Sequence, residues 1–169
     1  METYLLAHGL QDSEKSLGSL LIESFSDSEF SKFSCFVAFI SRSAIDELGQ
    51  YIQESKKHIR SFNVFVGIDH KGTSKEALEA LLDLDVETSI FYTISQITFH
   101  PKIFLFEGDK KCRIIIGSSN LTQLGLFQNI EASLVIDFIK PDKHGEKLLN
   151  EIYDYFSSFF KTETKNLRK

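Results

Sequence analysis

His100 and Lys102 sit two residues apart, and Ser118 and Asn120 again two apart, in the stretch FHPKIFLFEGDKKCRIIIGSSNLT from Phe99 to Thr122. A neutral imidazole is a nucleophile, an ammonium is a compact cation, and hydroxyl and amide groups donate hydrogen bonds. Together these groups suit a phosphate, whose non-bridging oxygens need cations and donors. Each piece alone has a plainer reading. A lone histidine is usually exposed or satisfied, and a lone GSSN is usually a turn with a cap. The order of the four and their strand context favour a site.

The elements that would position them can be read from the residues between. Residues 99–106 and 112–118 are apolar and β-branched and read as two strands around the turn Glu107-Gly-Asp-Lys-Lys111. In a strand, residues i and i+2 face the same way, so His100 projects with Lys102, and Ser118 with Asn120 if its strand runs that far. An antiparallel hairpin sets the start of one arm beside the end of the other, so the four side chains converge at one rim. LTQLGL, after Asn120, can make a short helical turn. Gly117-Ser-Ser-Asn ahead of it supplies flexible backbone and cap-type side chains, and amides at a helix start attract anions.

Outward from the hairpin, apolar spacing predicts helices over 13–25 (starting at Ser13), 42–57, 74–85 (starting at Ser74) and 144–160. Buried strands are predicted over 32–41, 62–69, 88–94 and 130–138, and the tail KTETKNLRK reads as polar and loose. Strands alternating with helices predict an α/β fold, a mixed central sheet flanked by helices on both faces. No repeat and no Pro- or Ser-rich linker divides the chain. It reads as one domain over 1–169, with the N-terminal part of a larger protein as the alternative.

Hydrophobic residues make up 42% and charged residues 25%, which excludes a disordered chain. The apolar runs are strand-sized, and the N-terminus lacks a basic leader with a long apolar stretch. A cytoplasmic protein with no membrane segment is therefore expected. Cys35 and Cys112 lie in apolar segments and read as free buried thiols. The net charge of −5 weighs against coating of anionic membranes without excluding a local nucleic-acid site. His8, His58, His70 and His144 read as exposed side chains. The basic run Lys56-Lys57-His58…Arg60 reads as charge at a helix end, with a DNA phosphate contact as the alternative.

His100-x-Lys102 followed by Gly117-Ser118-x-Asn120 resembles the HxK…GSxN signature of the phospholipase D superfamily. The likeness is to its single-motif nucleases, which include nuclease domains of restriction endonucleases and of helicase-linked restriction proteins. Many of these carry a further acidic residue on the next strand, where this chain has Glu131. The superfamily's usual Asp after the Lys is Glu107 here, with a longer spacing to GSxN, a departure that bears on the lipase reading more than on catalysis. The resemblance implies phosphodiester cleavage through a phosphohistidine. His100 is then the nucleophile, Lys102 and Asn120 stabilise developing charge, Ser118 donates or shapes the turn, and Glu131 accepts an imidazole N–H. No metal or other cofactor is implied. One motif per chain implies a homodimer with a composite active site, in which a second His100 protonates the leaving oxygen. The expected function is a DNA endonuclease of restriction or defence, with a helicase or DNA-recognition domain or subunit as a further partner. The alternatives are a lipid phosphodiesterase and a catalytically dead nucleic-acid-binding module.

Overall fold

The computed structural model describes residues 1–10, 15–92, 97–160 and 165–166, with the side chains of 158–160 and 165–166 left aside. Its centre is a mixed sheet of eight strands: β1 (Glu2–His8), β2 (Lys32–Val37), β3 (Ser61–Gly67), β4 (Glu87–Phe91), β5 (Lys102–Glu107), β6 (Lys111–Gly117), β7 (Glu131–Ile139) and β8 (Lys165–Asn166). The spatial order is β1-β7-β6-β5-β2-β3-β4-β8. Strands β2, β3 and β4 run parallel, and the remaining pairings are antiparallel.

Among the described residues five α-helices cover the sheet: α1 (Leu17–Ser26), α2 (Arg42–Ser55), α3 (Lys75–Asp83), α4 (Gln123–Phe127) and α5 (Lys143–Phe160). On one face α1 to α4 bury Leu21, Phe25, Ile45, Leu48 and Leu81 against Phe33, Val64, Phe104 and Val135. On the other, α5 buries Leu149, Ile152 and Phe156 against Phe36, Leu105, Ile114 and Ile136. The central strands are thus apolar on both faces, which is why they read as unbroken apolar runs. Cys35 and Cys112 are free and buried as expected, and burial pushes both thiols up, Cys35 strongly. Among the described residues no helix is long and apolar enough to cross a membrane.

Several boundaries differ from the expectations. Strand β1 was not expected at all. It alternates, with Leu6 and His8 buried and Thr3, Leu5 and Ala7 exposed, as befits an edge strand covered on one side. Helix α1 starts after Ser16, whose side chain forms a capping box with Ser19; the expected start at Ser13 lies outside the described residues. So do 93 and 94 of the expected strand 88–94. In the tail read as loose, Lys165–Asn166 pair with β4, and 161–164 and 167–169 are outside the description.

Glu107 explains its own departure from the superfamily pattern. It lies at the far end of β5 from His100, accepts a short hydrogen bond from the Tyr153 hydroxyl of α5, and pairs with Lys32 at 3.0 Å. Its carboxylate raises the Tyr153 hydroxyl, already raised by burial, to about 12. This cluster ties α5 to the sheet. The basic run Lys56–Arg60 precedes β3 at that same end, with Lys56 donating to the Leu84 carbonyl at 2.5 Å. It does not join the hairpin rim.

Candidate active site

The sheet's topology brings chemistry to one end. Strands β5 and β7 start there, and β1, β2, β3 and β6 end there. Crossing that rim from one edge, the chain presents His8, Glu131, Ser118, the His100–Lys102 pair, Phe39 and then the turn Asp69–Lys71.

His100 and Lys102 are together. The Lys102 ammonium is 2.8 Å from His100 Nδ1 and 3.2 Å from Nε2, and donates to the His100 carbonyl at 3.0 Å. Strand β5 begins at Lys102, so His100 stands on the segment before the strand, exposed, while Lys102 is 8% exposed. Pro101 cannot donate, but its carbonyl accepts from Ala38 N–H at 3.0 Å and ties this approach to the end of β2. Burial, then the Lys102 charge, then that of His70 hold the His100 ring below the usual histidine range. Burial lowers Lys102 as well, against the opposing pull of the Glu131 carboxylate. The His100 shift favours a neutral imidazole, the state a nucleophilic histidine requires, and the Glu131 carboxylate opposes the loss of charge on Lys102.

Ser118 and Asn120 do not form the shared-face pair expected of a strand. Strand β6 stops at Gly117, where a Cβ would lie 2.2 Å from Ser133 Oγ and 2.6 Å from the Ala132 carbonyl. The chain then turns, and the two side chains diverge. Ser118 leans toward β7: its hydroxyl donates to Glu131 through a short hydrogen bond and accepts from Ala132 N–H at 3.1 Å. Asn120 leans toward β2, and its Oδ1 accepts from Phe39 N–H at 3.2 Å. That bond fixes the amide, so Nδ2 is left to donate and has no partner among the described residues.

Glu131 is placed differently from its expected role. Among the described residues its hydrogen-bond partners are Ser118 and Asn129, and not His100. Its charge reaches the site through Lys102. The helix start expected beside Asn120 also falls later, at Gln123, with Thr122 as the cap accepting from Gly125 N–H at 3.1 Å.

Some of the rim was not read from sequence. His8, expected exposed, is 5% exposed and lies in register with Glu131, with no partner for Nε2 among the described residues. With Ser118, Glu131, Leu10 and Ile130 it lines a concavity of about 520 Å³. The alternation of β1 carried this signal, because His8 follows Tyr4 and Leu6 on the covered face. His58 is half-buried, its Nε2 3.1 Å from the Phe25 carbonyl. The Phe39 ring stands edge-on to His100, with centroids 5.8 Å apart at 76°.

This geometry agrees with the outcome of comparison with known proteins. The family model of the NgoFVII restriction endonuclease N-terminal PLD domain matches residues 19–156, most of the chain. The chain belongs to this family. It is thus a phospholipase D superfamily member of the nuclease branch, as the motif implied. Among solved structures, Nuc, a phospholipase D family member from Salmonella typhimurium, superposes with a TM-score of 0.66 at 16% identity, over 99% of this chain and 100% of that one. NucT from Helicobacter pylori gives 0.62 at 14% identity, over 95% and 98%. Phosphatidylserine synthase from Haemophilus influenzae Rd KW20 gives 0.61 at 15% identity, covering 98% of this chain but 39% of its own. At these identities the likeness is one of fold. No curated protein matches the chain.

Proposed function

We propose that this phospholipase D-type domain is a metal-independent endonuclease that cleaves DNA through a phosphohistidine at His100 and serves in restriction or defence. The observation that supports it most is the His100–Lys102 contact at the rim, a neutral-biased imidazole with an ammonium 2.8 Å away. The family match supports DNA as the substrate over a lipid.

In the free protein the ammonium occupies the lone-pair side of the ring. A phosphate oxygen entering beside it is the stronger acceptor, because it is charged. Lys102 then turns to that oxygen and the ring lone pair is released. A His100 nitrogen bonds to phosphorus as the bond to the leaving strand's oxygen breaks. Lys102 and Asn120 Nδ2 donate to the non-bridging oxygens, supplying electrophilic stabilisation. An acid on the opposite side protonates the leaving oxygen. Water then attacks phosphorus, the P–N bond breaks, and the conjugate base of that acid takes the water's proton.

The chain carries one such motif, so the acid is assigned to His100 of a second copy in a homodimer. Glu131 steadies the Ser118 turn and the charge of Lys102 rather than the imidazole. Base-sequence choice is left to a DNA-recognition domain or subunit or a helicase, and the protein is placed in the cytoplasm.

The test is cleavage of plasmid DNA by purified protein in excess chelator. The expected result is cleavage that chelator leaves intact and that His100→Ala removes. Loss of activity in chelator with restoration by Mg²⁺ would refute the mechanism.

A further inference from the structure

We propose that Lys71, with His70 beside it, forms a second anion subsite that takes the phosphate next to the scissile one in a nucleic-acid strand. The proposal rests on the DNA-cleaving reading above and extends it.

Its starting point is backbone strain. His70 and Lys71 have φ of 53° and 54°, two successive non-glycine residues in the left-handed region. Glycine or asparagine would hold that conformation at lower cost. Fold stability alone therefore does not select Lys at position 71, and strain of this kind gathers at working sites.

The turn is over-determined by its surroundings. Asp69 Oδ2 accepts from Phe99 N–H at 3.3 Å, and His70 Nε2 lies 3.1 Å from Thr98 Oγ1. Thr73 Oγ1 donates to the Gly67 carbonyl at 2.7 Å and accepts from Ile40 N–H at 3.3 Å. Gly72 packs where a Cβ would lie 2.1 Å from the Phe39 ring, the ring that stands against His100. The turn thus grips the residues just before His100 on one side and Phe39 on the other. Its strained pair is set at the rim, next to the nucleophile.

What the turn presents is the Lys71 ammonium, which is available. The side chains of His70 and Lys71 are both exposed, and Lys71 has no ion pair or hydrogen bond among the described residues. The carboxylate of the turn, Asp69, is engaged by Phe99. His70 is near enough to His100 for its charge to act on that ring. A strand whose scissile phosphate sits on His100 and Lys102 carries its next phosphate past this turn.

The experiment measures binding of a labelled single-stranded oligonucleotide across a salt series. The full chain carries His100→Ala to prevent turnover, alone or with Lys71→Gly or Lys71→Arg. Losing one phosphate contact lowers the salt slope by about 0.7 and weakens binding roughly fivefold at 0.1 M salt. Lys71→Gly is expected to show that loss with a melting temperature no lower than its parent's, and Lys71→Arg to retain affinity. Unchanged affinity and slope in Lys71→Gly, with the parent binding normally, would overturn the subsite and leave the DNA reading standing. A loss found only with a lowered melting temperature would make Lys71 structural and also overturn it. A parent that bound no oligonucleotide at any salt would overturn the DNA reading and the subsite together.

Discussion

On the proposed mechanism Lys102 does two jobs at the scale of single residues, and they separate experimentally. As a cation it would stabilise transition-state charge, and as a neighbour it lowers the His100 pKa, after burial. Lys102→Ala and Asn120→Ala should each raise the barrier by about 2–4 kcal/mol, as loss of a single oxyanion donor does, with a much smaller loss of DNA affinity. A large affinity loss with unchanged turnover would make them ground-state binders. The pH profile adds a signature for Lys102 alone. If His100 attacks as proposed, it does so when neutral, so the acid limb of kcat/KM should inflect below the ordinary histidine value of about 6.5. Removing the positive neighbour favours the protonated ring, so in Lys102→Ala that inflection should move up. An unmoved inflection would show that the ammonium does not act on His100.

At the scale of elements, the close approach of β6 and β7 at Gly117 sets the turn that splits Ser118 from Asn120. Gly117→Ala puts a methyl against Ser133 and the Ala132 backbone. It should cost about 1–3 kcal/mol, as overpacking does, measured by denaturant unfolding. Activity should fall further than stability explains, because Ser118 and Asn120 both follow from that turn. A variant as stable and active as wild type would show that the approach is slack. The hairpin was legible in the sequence because β5 and β6 are apolar on both faces and a turn-rich run separates them. His100–Lys102 proximity followed from spacing. The divergence of Ser118 and Asn120 was not legible: which way each leans depends on Glu131, Ala132 and Phe39, which are distant in sequence or on other strands. Strand β1 went unread because an edge strand shows only a short alternation. The turn at His70 and Lys71 was not legible either, because exposure is the common state of such side chains and only the φ angles set it apart.

At the scale of the whole molecule, one motif per chain leaves the leaving-group acid unaccounted for within a protomer. A two-fold axis beside the rim would supply it as His100 of the partner. The exposed apolar side chains of Leu10 and Ile130, flanking Ser118 and Glu131, are suited to such contact. Wild type mixed with excess His100→Ala chains should lose more activity than dilution accounts for, because mixed dimers lack one histidine. Activity that follows dilution alone, or an active monomer by sedimentation at assay concentration, would contradict a composite site and require a donor within the chain.

The central claim is that His100 becomes covalently bonded to phosphorus. The most direct measurement is retention of label on the protein after rapid quenching of a reaction with DNA radiolabelled at its phosphodiesters. The account predicts label on the denatured chain, stable to base and labile to acid as a phosphoramidate is, and absent from His100→Ala. DNA cleaved by wild type at full rate with no protein-bound label at any quench time, or label that persists in His100→Ala, would contradict it.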